Sequence, residues 1–279
     1  ASSLISSSEA GSSALTSSSV SSQITETPAP TDPPYSYIES ELSTKKLGWD
    51  YIPGGAEGIP ATNYEERITI CKRFGGIWQG DTSKKKIYIT MDLGYEYNNN
   101  TAKILDIAKN KDFKINFFIV GKLFTYPQYK DLLMRIHDEG HLVCSHAWHH
   151  DNYDELYLDS GAQAVRDDLK QVEEAYNTLT GSELAKLFRF PAGEYSEAAM
   201  SVVDKAGFKS VFWSFSYRDW LVDEQPDPQE SLEKMINGLH NGAVYLLHPV
   251  SDTNVEVLPE LVEAIRSRGY EIALLDEFE

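Results

Sequence analysis

Ile87-Tyr88-Ile89-Thr90-Met91-Asp92-Leu93-Gly94-Tyr95-Glu96 is a strand-length apolar run that ends in a carboxylate and a glycine. It is the first of seven such runs, the others lying at 115–120, 142–144, 187–190, 210–214, 243–248 and 271–275. Between them the apolar residues recur with helical spacing, at 101–110, 128–139, 161–180, 196–206, 229–240 and 255–268. The third of these is the clearest, with Ala164, Val165, Leu169, Val172, Ala175, Tyr176 and Leu179 on one stripe. Strands that alternate with helices imply parallel pairing with the helices outside. The fold class expected is therefore α/β, a closed or nearly closed β/α barrel, with an open doubly wound sheet as its competitor. In a barrel of this kind, chemistry sits where strands end and the following loops begin.

The polar residues can be placed by that rule. The first strand ends at Asp92, and the third runs into His146, Trp148, His149 and His150. The fourth ends in Arg189-Phe190-Pro191-Ala192-Gly193, the fifth leads to Arg218-Asp219-Trp220, and the sixth ends in Leu246-Leu247-His248. A salt bridge or a helix cap accounts for any one of these alone; five on one rim point to a shared site. Neutral imidazole is a common metal ligand. On a helical turn His146 and His150 lie about 40° apart and His146 and His149 about 60°, so spacing leaves both pairs open. The ordinary alternative is a histidine-rich surface loop, or imidazoles packed on Trp148.

The flanking sequence sets the limits. Serine fills about half of the first 22 positions, and residues 1–34, which end rich in proline, cannot bury enough apolar surface to offset ordering; they read as a flexible tether. Residues 35–85 are irregular and aromatic and read as an extension wrapped on the core of residues 86–279. A net charge of -18, with no basic patch, excludes nucleic acid and anionic lipid as partners. No apolar run approaches the length of a membrane span. Cys71 and Cys144 are too few for a disulfide framework, and no structural disulfide is expected.

With these residues in view, the chain resembles the polysaccharide deacetylases (carbohydrate esterase family 4, the NodB-homology domain). The resemblance runs over about 85–276, through TMDLG, HAWHH, RFPAG, RDW and LLH in the family's order. It implies a distorted seven-stranded β/α barrel and metal-assisted hydrolysis of an N-acetyl group. It selects His146 and His150 as ligands of a divalent metal, with zinc the expected ion. Asp92 matches the catalytic base, Arg189 its ionic partner, His248 the general acid and Asp219 the partner of that histidine. Ala192 matches the residue whose N–H stabilises the oxyanion, while Trp220 and Leu246 match the lining of the acetyl pocket. GYE after the first motif, FWS at 212–214 and LLHPVS are most like the branch acting on N-acetylmuramic acid, whose members make the muramic δ-lactam of spore cortex. The partner implied is peptidoglycan or a related N-acetylated glycan, in the envelope of a bacterium or outside it.

Two departures bear on the metal. Leu93 stands where the family has a metal-binding aspartate, and leucine cannot coordinate; two imidazoles alone fall short of the usual three protein ligands. Ala147 replaces a serine or threonine whose hydroxyl would brace the loop. Weak metal binding is the expectation, and a glycan-binding module that kept the groove and lost the ion is the alternative function. A third reading, a deacetylase of another acylated sugar, uses the same residues.

Overall fold

The computed structural model describes residues 41–277; the segment read as a tether, 1–34, lies outside the described residues. In chain order the elements are β1 (Leu47–Gly48), α1 (Glu65–Arg73), β2 (Lys86–Leu93), α2 (Asn100–Asn110), β3 (Asn116–Ile119), α3 (Lys130–Asp138), β4 (Leu142–Ser145) and α4 (Tyr153–Thr180). They continue with β5 (Leu187–Phe188), β6 (Glu194–Tyr195), α5 (Glu197–Lys205), β7 (Lys209–Ser210), β8 (Phe215–Ser216), α6 (Pro228–Asn237), β9 (Ala243–Leu247), α7 (Asp252–Ser267) and β10 (Glu271–Ile272).

The sheet runs β7-β5-β4-β3-β2-β9-β8, parallel throughout, with β10 paired to the start of β2. β2 is the central strand and is buried from Ile87 to Leu93. Helices cover it outside and side chains fill it inside, which is why its sequence is almost continuously apolar instead of alternating. It takes β9 on one side, with Ile87 opposite Ala243, and β3 on the other, with Thr90 opposite Asn116. The amide of Asn116 ties in the last strand, donating to the carbonyl of Ile89 while its oxygen accepts from the Leu275 N–H. The result is the curled seven-strand parallel barrel, distorted and incompletely closed.

The closure departs from the sequence reading at 210–214. That run is not one strand: β7 pairs with β5 and β8 with β9, so the two edges of the sheet are successive pieces of one chain segment. The gap between them is filled from the extension. Ile77 donates to Ser210 and accepts from Phe212, and the Gly80 N–H donates to the carbonyl of Gly242. The described part of the extension, residues 41–85, is irregular apart from α1 and the short β1, which pairs antiparallel with β6.

Helix α4 also differs from its expected range. The chain is helical from Tyr153, and Gly161, with φ of 78°, is a joint inside it. A glycine adopts that angle without the Cβ penalty, so the weakly patterned 153–160 turns onto the barrel ahead of the apolar stripe. Helix α7 shows the opposite case: Val257, Leu258, Leu261, Val262 and Ile265 are buried at helical spacing, and Ser251 caps the start through the Asn254 N–H. Cys71 and Cys144 are both buried free thiols.

His141 is buried at the start of β4, where its Nδ1 accepts from the Ile115 N–H. Burial pushes its pKa down from 6.5 to about 4. The unfolded chain takes up a proton there that the folded chain refuses, so stability falls as pH drops from 6.5 towards 4. Denaturant unfolding across that range should show the slope, and it should be shallower in a His141→Asn variant, which keeps an acceptor but cannot titrate. Equal slopes for the two proteins would contradict this assignment.

Candidate active site

The carboxyl ends of the strands meet around a cavity of about 620 Å³ lined by, among others, Asp92, His146, His150, Ala192, Trp220, Leu246 and His248. These are seven of the nine residues singled out in the sequence. The other two, Arg189 and Asp219, are fully buried beneath it, each bonded to a residue in its wall.

Arg189 follows β5 and points across the barrel. Its Nη1 donates to Asp92 Oδ1 at 2.7 Å and to Thr90 Oγ1 at 2.8 Å, and its Nε donates to the carbonyl of Val211 at 3.1 Å. The guanidinium lies 4.0 Å from the centre of the Phe118 ring. Burial acts to raise the pKa of Asp92, but the charges facing it, Arg189 foremost, outweigh that and hold it below the ordinary carboxylate value. Asp92 is therefore an ionised carboxylate with one oxygen engaged by Arg189 and the other, Oδ2, 3.5 Å from His146 Nε2.

His146 comes directly after β4. A carbonyl can only accept, so the 2.9 Å contact to Arg189 O puts the proton on His146 Nδ1 and leaves the Nε2 lone pair facing the cavity. Burial lowers its pKa to about 4 and also lowers that of His150, so both imidazoles are neutral at pH 7. Their rings lie 4.8 Å apart, edge to face. Ala147 and His150 both have positive φ, 63° and 70°, an unfavourable conformation for side-chain-bearing residues. The loop is pinned from outside: the Trp148 N–H donates to Asp168 Oδ1 at 2.9 Å, Tyr153 donates to the same oxygen, and the Gly121 N–H holds the carbonyl of Ala147. Asp168 thus supplies a brace where Ala147 has no hydroxyl. Sequence reading missed it, although a carboxylate between Val165 and Leu169 on a buried stripe is a usable signal.

Neutral imidazoles lining a cavity, one of them with its Nε2 lone pair free because a backbone carbonyl engages its other nitrogen, are donors of the kind that hold a divalent cation. Leu93 is buried in the core and contributes nothing. Among the described residues no group of three or more His, Cys, Asp or Glu is arranged to hold an ion. The two imidazoles supply two of the three protein ligands that such an ion usually takes.

His248 follows β9. Its Nδ1–H donates to Asp219 Oδ1 at 2.7 Å, and its backbone N–H donates to Asp219 Oδ2 at 2.8 Å. Asn254, on α7, closes the network: its Nδ2 donates to Asp219 Oδ2 at 2.7 Å and to the carbonyl of His248 at 3.0 Å. Its Oδ1 accepts from Tyr217. Asn254 and Tyr217 were not legible as site residues. Burial acts to lower the pKa of His248, but Asp219 outweighs it and the value is raised. Trp220 stands beside His248, its ring centre 5.9 Å away, and is half exposed at the cavity rim. Ala192 sits in the turn Pro191–Gly193 with φ of 55°.

A proton-linked NMR titration should find the His248 imidazole above its ordinary 6.5. An Asp219→Asn variant removes the charge that favours the imidazolium, so its midpoint should fall. No change on substitution would contradict the electrostatic role given to Asp219.

A family model for polysaccharide deacetylase matches residues 79–211. The peptidoglycan-N-acetylmuramic acid deacetylase PdaA of Bacillus subtilis is 32% identical over 210 residues, 75% of this chain and 77% of that protein. The solved structure of Bacillus subtilis PdaA, described as a family 4 carbohydrate esterase, superposes with a TM-score of 0.79 over 85% of this chain and 98% of that one, at 28% identity. A family 4 carbohydrate esterase from Bacillus anthracis gives 0.69 at 30% identity, covering 85% and 97%. On fold, motif order and overall similarity, the chain belongs to the polysaccharide deacetylase family, carbohydrate esterase family 4.

Proposed function

We propose that this protein hydrolyses N-acetyl groups on peptidoglycan glycan strands, with N-acetylmuramic acid as the sugar attacked, in a bacterial cell envelope. The observation that carries the reading is the pairing of two oppositely tuned groups in one cavity. Asp92 is held ionised by Arg189, and His248 is held toward its protonated form by Asp219. A base and an acid with pKa values pushed apart are what amide hydrolysis requires. The choice of sugar rests on the likeness to PdaA, which is named for it.

Asp92 takes a proton from the attacking water as its oxygen adds to the acetyl carbonyl carbon. Arg189 keeps the carboxylate aimed and ionised during that transfer. The N–H of Ala192 donates to the developing oxyanion. When the C–N bond breaks, His248 delivers its proton to the departing amine, and acetate and the free amino sugar result. Trp220 and Leu246 enclose the acetyl methyl. A divalent ion, zinc by the family resemblance, would be held by His146 and His150 and would supply Lewis acidity toward water and the carbonyl.

The second reading, a glycan-binding module without the ion, is favoured by Leu93. Against it stand the buried Asp92–Arg189 and Asp219–His248 pairs, because a binding groove needs neither a base nor an acid.

Acetate release from muropeptides, with zinc or cobalt added and after chelation, separates the two. Asp92→Asn should lower the rate by about 10²-fold or more; full retention would remove Asp92 as the base. In calorimetric titration with zinc, Leu93→Asp should bind more tightly than the native chain. Unchanged affinity would mean that the ion sits elsewhere.

A further inference from the structure

The wall of the cavity on one side is made by two loops, the Pro191–Gly193 turn and the segment carrying Trp213. Both are held by a residue from the extension, far away in sequence. The Trp49 N–H donates to the carbonyl of Gly193 at 2.8 Å. Its indole Nε1–H donates to the carbonyl of Trp213 at 2.9 Å. Its ring is stacked on Phe212 at 4.2 Å with the planes 13° apart, and the residue is buried.

The two loops touch closely at this point. Gly193 has φ of 67°, and a Cβ placed on it would come within 2.6 Å of the Trp213 ring and 3.4 Å of Trp49 Cβ. The fit therefore has no slack, and a small shift of one loop displaces the other. The pairing of β1 with β6 sets Gly48 opposite Glu194, next to Gly193. Lys46 also reaches Glu194 and Glu155, but it is substantially exposed and such pairs contribute little. The buried contacts of Trp49 are the ones that set the geometry.

We propose that Trp49 is a positioning residue, clamping the Pro191–Gly193 turn against Trp213 so that the N–H of Ala192 is held where the oxyanion develops. The inference rests on the deacetylase reading above. A donor aimed at developing charge acts only if it is fixed before the reaction, and a misplacement of about 1 Å can cost up to 10²-fold. The extension is on this view part of the active site through its contacts, though it touches no substrate.

Trp49→Phe keeps an aromatic ring on Phe212 and the backbone bond to Gly193, and removes the indole donor together with part of the ring's bulk. The expected result is a roughly tenfold loss of kcat for acetate release with KM little changed. Amide hydrogen exchange at Gly193, whose N–H donates to the carbonyl of Phe190, should quicken while β2 and β9 exchange as before. Unchanged kcat and unchanged exchange at the turn would overturn the clamp. So would exchange that quickens across the whole barrel, which marks a general loss of packing. The exchange comparison needs no turnover: a native protein that releases no acetate would sink the deacetylase reading while local exchange still decides the clamp.

Discussion

The structure depends on the burial of a full positive charge at the centre of a parallel barrel. Arg189 is completely enclosed, and enclosing a guanidinium is costly unless its donors and its charge are all met. Asp92 meets the charge; Thr90 and the carbonyl of Val211 accept from it, and Phe118 lies against its face. Those partners come from β2, β3 and the segment after β7, so the requirement to satisfy one side chain fixes the relative positions of several parts of the barrel. Removing either member of such a pair strands the other, at about 3–5 kcal/mol. The same contacts leave Asp92 ionised at the bottom of the cavity with one oxygen unclaimed by Arg189. Stability and the aim of the candidate base thus rest on the same interaction.

A second pair repeats the arrangement nearer the surface. Asp219 is buried and accepts from His248 twice and from Asn254 once. Its effect on the imidazole is the reverse of Arg189's on Asp92: one pair depresses a carboxylate pKa, the other lifts a histidine pKa. His146 and His150 are kept neutral by burial. Three environments within one cavity therefore set three protonation states, and each follows from burial weighed against a neighbouring charge.

The fold and much of the site were legible because parallel strands project their ends to one side. A carboxylate after 87–91, a histidine after 142–145 and another after 243–247 must converge if the strands pair, and family motifs sharpened the assignment. What was not legible comes from elsewhere in the chain. Asp168 and Asn254 stand on helices and act through hydrogen bonds; Asp168 shows in the sequence only as a carboxylate on a buried stripe, and Asn254 leaves no periodic trace. Trp49 lies more than a hundred residues before the loops it holds, in a stretch without regular pattern. The splitting of 210–214 between two edges follows from the curl of the sheet and the insertion of Ile77, neither of which a run of apolar residues announces. That Leu93 offers no donor follows from its residue type alone, whereas the bracing of the loop by Asp168 from the far side depends on the packing.

The central claim is that Arg189 holds Asp92 ionised against the pull of burial. Carbon-13 NMR of the aspartate carboxyl groups tests it directly. Asp92 should remain ionised below the ordinary aspartate value of 3.8 for as long as the fold persists. A carboxyl that takes up its proton at or above 3.8 in the folded protein would contradict the account.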